Sequence, residues 1–257
     1  LQIASPHAIS QAVSKKNDGR VSGGPSPVRT RIGRNVSTRL EANPHVRRAK
    51  TDAAQMYTYP DFLSPAECDT LMALIDSNSR PSTLLAVSED PDYRTSHSSD
   101  LHRWSEEILT VDRRIADLLG IPEENAETLQ GQRYAVNQQF RAHCDYFHES
   151  SDYWPKMKET GGQRTWTAMA YLNDVPEGGA TWFPRAGIRF KPKRGLLVVW
   201  NNMTPDGTPN YDTLHEGMRV LEGTKYIVTK WFREGAWIKD YIQTYVAGGI
   251  ENAPGTD

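Results

Sequence analysis

Two histidines and an aspartate in the second half of the chain constrain its fold more than any other feature. His143 and Asp145 stand in Ala142-His143-Cys144-Asp145-Tyr146, and His215 in Thr213-Leu214-His215-Glu216. Side chains at i and i+2 of a strand point to one side, so His143 and Asp145 can face a shared interior while Cys144 faces away. The third residue lies far downstream and must reach that interior from another strand. Two imidazoles and a carboxylate form the donor set of a facial triad for non-haem Fe(II), with positions left open for substrates. Mn, Co and Zn suit the same donors.

The residues around the three supply the strands that such a site needs. Runs at 128–137, 140–146, 166–172, 180–183, 188–191, 196–200 and 224–232 read as short strands separated by Gly and Pro turns. Strands at this spacing suit a two-sheet jelly-roll. Upstream, Met56-Tyr57-Thr58-Tyr59 reads as a strand. Ser64-Pro65-Ala66-Glu67 then opens a helix, with Ser as N-cap, Pro at N1 and Glu at N3, running to Ser77. A second helix is expected over 105–119, stopped by Gly120 and Pro122. The loop 78–100 has the length of a lid, and the loops 147–163 and 202–212 flank the metal strands. Trp166, Trp182, Trp200 and Trp237 are expected in the core, since large aromatics carry much apolar burial.

In Lys225-Tyr226-Ile227-Val228-Thr229-Lys230-Trp231-Phe232 the alternation puts Lys225 on the face of Ile227 and Trp231. A buried ammonium requires an anion, and a dicarboxylate co-substrate would supply one. The alternative is a lysine whose stem lies over apolar residues with its head in water.

With these residues in view, 129–237 resembles the prolyl 4-hydroxylase branch of the Fe(II)/2-oxoglutarate-dependent dioxygenases. The matching motifs are Leu129-Gln130-Gly131-Gln132-Arg133-Tyr134, the His143-Cys144-Asp145 segment, Tyr171-Leu172-Asn173-Asp174-Val175-Pro176-Glu177-Gly178-Gly179-Ala180-Thr181-Trp182-Phe183-Pro184 and Lys193-Arg194-Gly195. His215, Gly223-Thr224-Lys225-Tyr226 and Lys230-Trp231 complete the set. Upstream, Arg94-Thr95-Ser96 resembles an element of the same family.

The resemblance implies a mainly β fold with flanking helices (α+β), a double-stranded β-helix core at about 128–234 buttressed by N-terminal helices. It implies Fe(II) on His143, Asp145 and His215. Lys225 would pair with the distal carboxylate of 2-oxoglutarate, with Tyr134 and Thr181 bonding to it. Arg164 and Trp231 would serve the catalytic pocket, and Arg94, Phe140 and Arg164 would face the substrate. O2 is the oxidant and ascorbate the supporting reductant. The substrate would be a peptide or protein, Pro-rich if the relationship extends that far.

One departure bears on the substrate. Collagen-type members read Tyr-Glu-Pro before the first metal histidine, and this chain reads Phe140-Arg141-Ala142, losing a hydroxyl and reversing a charge. A lost hydrogen-bond partner can redirect specificity, so another amino-acid side chain or a small metabolite stays open as a substrate. A non-catalytic cupin-like metal-binding module is the third reading.

Composition sets outer limits. The net charge of −2 gives no case for nucleic acid or an anionic membrane. No apolar run approaches the length of a membrane-spanning helix. Two cysteines make no disulfide framework, so a cytoplasmic location is expected, although the chain opens on Leu1, as a truncated form would. Residues 1–50, rich in Ser, Pro, Gly and Arg, read as a basic arm, mobile or docking. The dioxygenase domain is expected over 51–240, with order from about Gln55, and 241–257 as a C-terminal tail.

Overall fold

The computed structural model describes residues 23–84 and 90–238. In chain order its strands are β1 (Arg47–Arg48), β2 (Met56–Tyr59), β3 (Arg80–Pro81), β4 (His97–Asp100), β5 (Gln130–Tyr134), β6 (Phe140–His143) and β7 (Arg164–Tyr171). They continue with β8 (Glu177–Gly178), β9 (Thr181–Phe183), β10 (Ile188–Phe190), β11 (Leu197–Asn201), β12 (His215–Gly217), β13 (Val220–Glu222) and β14 (Lys225–Arg233). The helices are α1 (Pro27–Glu41), α2 (Pro65–Asn78), α3 (Glu106–Leu119) and α4 (Trp154–Glu159).

An eight-stranded sheet runs in the order β1-β2-β11-β7-β14-β5-β4-β3, and a four-stranded sheet in the order β10-β9-β12-β6. Met169, Tyr171, Trp200 and Ile227 of the first sheet share a core with Phe183 and Phe190 of the second. Helices α1, α2 and α3 cover the outer face of the large sheet, where Leu71, Ile75, Ile108, Ile115, Val199 and Phe232 form a second core. This is the double-stranded β-helix with buttressing helices that the sequence led us to expect.

Local chemistry accounts for the helix ends. Ser64 Oγ accepts from the Glu67 N–H at 3.2 Å, and the Ser64 N–H donates to Glu67 Oε2 at 2.8 Å, so the capping box at α2 is complete. Gly120 ends α3 with φ +66°. Gly131 lets α2 lie directly on β5: a Cβ there would clash with Ile75 Cγ1.

Several expectations need correction. Order does not wait for Gln55. Ser26 caps α1, whose Val36 and Leu40 are buried in the helix-side core, so 27–41 is part of the domain. Arg29, read as part of a basic arm, is 6% exposed and lies 2.8 Å from Glu149. Residues 1–22 of that arm and the tail 241–257 lie outside the described residues. β12 escaped notice because three residues are too few to show alternation. Trp182 is only half-buried, whereas Trp166, Trp200 and Trp237 are buried. Among the described residues, no helix is long and apolar enough to cross a membrane.

Candidate active site

The two histidines meet across a ladder. β6 and β12 pair antiparallel with His215 opposite His143, which sets the rings 4.3 Å apart. Each ring is oriented by a carbonyl two residues earlier: His143 Nδ1 lies 2.8 Å from Arg141 O, and His215 Nδ1 lies 3.0 Å from Thr213 O. With Nδ1–H donating there, each Nε2 lone pair turns inward. Burial, then repulsion from His215, push the His143 pKa down to about 3, so the imidazole is neutral, the form that binds a metal.

Asp145 is placed differently. The strand ends at His143, so the shared strand face expected for the pair is not what aligns them; Asp145 sits in the bend beyond. The Thr167 hydroxyl on β7 donates to its Oδ2 at 2.8 Å, and Asn202 Nδ2 donates to that hydroxyl at 2.9 Å. Its Oδ1 then stands 3.8 Å from His143 Nε2 and 3.9 Å from His215 Nε2. Burial opposes ionisation of Asp145, but His215, His143, Arg164 and the Thr167 hydrogen bond together hold its carboxyl below the usual range. One ligand atom from each residue falls within 4.8 Å of the others, a donor set that fits Fe(II) and leaves one side open.

Lys225 enters the same cleft from β14. It is 1% exposed, pairs across the ladder with Tyr134, and holds its Nζ 4.9 Å from the Tyr134 ring and 5.6 Å from the Tyr171 ring. It has no anionic partner among the described residues, and burial alone pushes its pKa down to about 7. Tyr134 donates to Gln132 Oε1 at 2.9 Å, and the Tyr171 hydroxyl lies 2.7 Å from Thr181 Oγ1. Trp231 lines this cleft together with the triad, Tyr134, Thr181 and Lys225. Tyr171 and Thr167 were missed, although Thr167, Met169 and Tyr171 alternate toward the cleft along β7.

Arg164 stands at the start of β7, within electrostatic reach of Asp145. Its Nε and Nη2 each lie 2.6 Å from a carboxylate oxygen of Glu127, and its guanidinium carbon sits 4.2 Å from the Trp231 ring centroid. Burial opposes ionisation of Glu127, yet Arg164 and Arg233 hold its carboxyl down to about 2. Arg164 is thus held by Glu127 against Trp231 and stays partly exposed. Phe140 lines the cleft and stacks on His143 with centroids 3.6 Å apart.

Arg94 lies over the Phe140 ring at 4.6 Å and donates to Ser98 Oγ at 3.0 Å. The Arg94-Thr95-Ser96 lid is held against β6 here. The Thr95 N–H donates to Gln139 O at 3.0 Å, and the Arg141 N–H donates to Tyr93 O at 2.8 Å. Residues 85–89 of the lid loop lie outside the described residues. His148 stands apart from the triad, with its ring beside Tyr146.

Fold and site together define an Fe(II)/2-oxoglutarate-dependent dioxygenase. The sequence model of the 2OG-Fe(II) oxygenase superfamily matches residues 129–233. A probable prolyl 4-hydroxylase 3 of Arabidopsis thaliana is 33% identical over 205 residues, covering 70% of each chain. The viral collagen prolyl hydroxylase of Paramecium bursaria Chlorella virus-1, solved as a 2OG complex, is 28% identical with a TM-score of 0.56, covering 72% of this chain and 99% of that one. A Trichoplax adhaerens prolyl hydroxylase solved with a peptide fragment shares the fold, with a TM-score of 0.54 at 15% identity over 80% of this chain and 90% of that one. The chain belongs to the prolyl 4-hydroxylase branch of the Fe(II)/2-oxoglutarate-dependent oxygenases.

Proposed function

We propose that this enzyme hydroxylates prolyl residues of a peptide or protein, Pro-rich and extended in polyproline II form. The observation that carries the reading is the pairing, in one cleft, of a His-Asp-His donor set with a buried lysine that has no protein anion. His143, Asp145 and His215 hold Fe(II), and Lys225 receives the far carboxylate of 2-oxoglutarate, with Tyr134 and Thr181 beside it. When bound, iron and 2-oxoglutarate supply the oxidising power that puts one oxygen atom of O2 into a C–H bond, with succinate and CO2 as co-products. The protein's own part is orientation, neutral imidazoles and a buried lysine that is cationic once the dicarboxylate binds. The prolyl relatives support proline as the target. Phe140, which lacks a phenolic hydroxyl, contributes an apolar wall in this reading.

Incubation with Fe(II), 2-oxoglutarate, ascorbate and a panel of Pro-rich peptides should give succinate and a peptide heavier by one oxygen atom. Succinate release stimulated only by free amino acids or other metabolites would replace the prolyl reading. Failure of the Mn(II) form to bind 2-oxoglutarate in calorimetry would point to a non-catalytic metal module. Cys68 and Cys144 are both free thiols, and on that basis we place the enzyme in the cytoplasm, which fractionation of expressing cells checks.

A further inference from the structure

Asp145 is the metal ligand that the sheet does not hold, since β6 ends at His143. Its carboxylate is gripped by Thr167 of β7. The backbone that carries it has a second grip from the same strand's leading edge. Gln163, immediately before β7, is 0% exposed. Its Oε1 accepts from the Phe147 N–H at 2.6 Å, and its Nε2 donates to the Phe147 carbonyl at 2.9 Å. A side-chain amide thus takes the place of a ladder partner for the residue two positions after Asp145. Gln163 is itself fixed, because its own N–H donates to Glu234 Oε1 at 2.8 Å and its carbonyl accepts from the Glu234 N–H at 2.9 Å.

We propose that Gln163 is a positioning residue for the metal carboxylate, its buried amide pinning the Phe147 backbone so that Asp145 stays beside His143 and His215. Burial gives the contact its weight. Outside a regular ladder, two buried peptide groups require partners, and only a group with both a donor and an acceptor satisfies them together. The cleft side of Asp145 is open to metal, so Thr167 and Gln163 share the task of resisting its rotation toward solvent. Groups that orient metal ligands from outside the coordination shell typically contribute about 10–100-fold to metal affinity.

The inference rests on the triad being the metal site, and Mn(II) binding, followed by electron paramagnetic resonance without co-substrate, separates the two ideas. Wild-type protein should bind Mn(II), and Asp145→Ala should not. Gln163→Met, close in size but without the amide, should weaken Mn(II) binding by about 10–100-fold. Gln163→Glu, which keeps an acceptor for the Phe147 N–H but sets a carboxylate oxygen against the Phe147 carbonyl, should also weaken Mn(II) binding. Leu71→Ala on α2, a buried truncation on the far side of the large sheet, is the matched control. It should lower Tm comparably and leave Mn(II) affinity unchanged. If Gln163→Met does not fold, Gln163→Glu carries the comparison with the control. Wild-type Mn(II) affinity in a folded Gln163 variant overturns the positioning role, and absence of Mn(II) binding in the wild type overturns the metal site beneath it.

Discussion

Lys225 and Lys230 lie five positions apart on β14, and an odd spacing puts them on opposite faces of one strand. Both are almost fully buried, at 1% and 0% exposure. Lys230 faces the helices and holds its Nζ 2.6 Å from Asp112 Oδ2 on α3, with Arg103 Nε 3.5 Å from the same oxygen. Lys225 faces the cleft, with aromatic rings and no carboxylate near its Nζ among the described residues. Burial pushes both ammonium groups below the usual lysine range, and only Lys230 has a neighbouring carboxylate opposing the shift. One strand thus carries a charge whose partner is built into the fold and another whose partner arrives as a ligand. The difference teaches that burial of a lysine does not mark a binding site; burial without a protein anion does.

The largest way to break this comparison is to remove the built-in pair. Lys230→Ala leaves Asp112 buried with Arg103 alone and should cost about 3–5 kcal/mol of folding stability in denaturant titration. The 2-oxoglutarate KM of the protein that remains folded should stay unchanged; a raised KM would show that the helix-side pair serves the cleft. Lys225→Ala should do the reverse. Losing the ammonium opposite a bound carboxylate should weaken 2-oxoglutarate binding by about 2–5 kcal/mol, seen as a raised KM, with little loss in Tm. Equal loss of stability in the two variants would erase the distinction.

The smallest effect is on pH. A free-enzyme Lys225 pKa of about 7 means that the cation is present below that pH and is lost above it. Binding of a dianion favours the ammonium form, so above pH 7 it must take up a proton. Affinity of the Mn(II) form for 2-oxoglutarate should therefore fall by up to about tenfold per pH unit above neutrality. Anaerobic calorimetry in buffers of different ionisation enthalpy reads both the slope and the proton. Lys225→Ala should abolish them and Lys230→Ala should keep them.

Much of this was legible from the chain. Alternation in 224–232 separated the two faces of β14, and the capping box placed the start of α2 before any contact was known. The faces were readable, but their surroundings were not. Lys230 sat on what alternation alone presents as an outer face, because nothing local reveals that α3 covers it; Asp112 lies 118 positions away. The same limit concealed α1, whose Arg-rich sequence looks solvated until Arg29 meets Glu149. Arg164 shows the same limit: the motif singled it out, but its ion pair with Glu127 and its contact with the Trp231 ring appear only in the folded chain.

The donor types, the β class of the core and the face on which Lys225 stands follow from residue chemistry and strand periodicity, which are local properties. How His143 and His215 meet across a ladder, how a side chain from β7 holds Asp145 past the end of its strand, and which buried lysine has no protein anion among the described residues emerge only on folding. Those outcomes depend on contacts between distant segments, and burial of a charge acquires meaning only once its neighbours are in place.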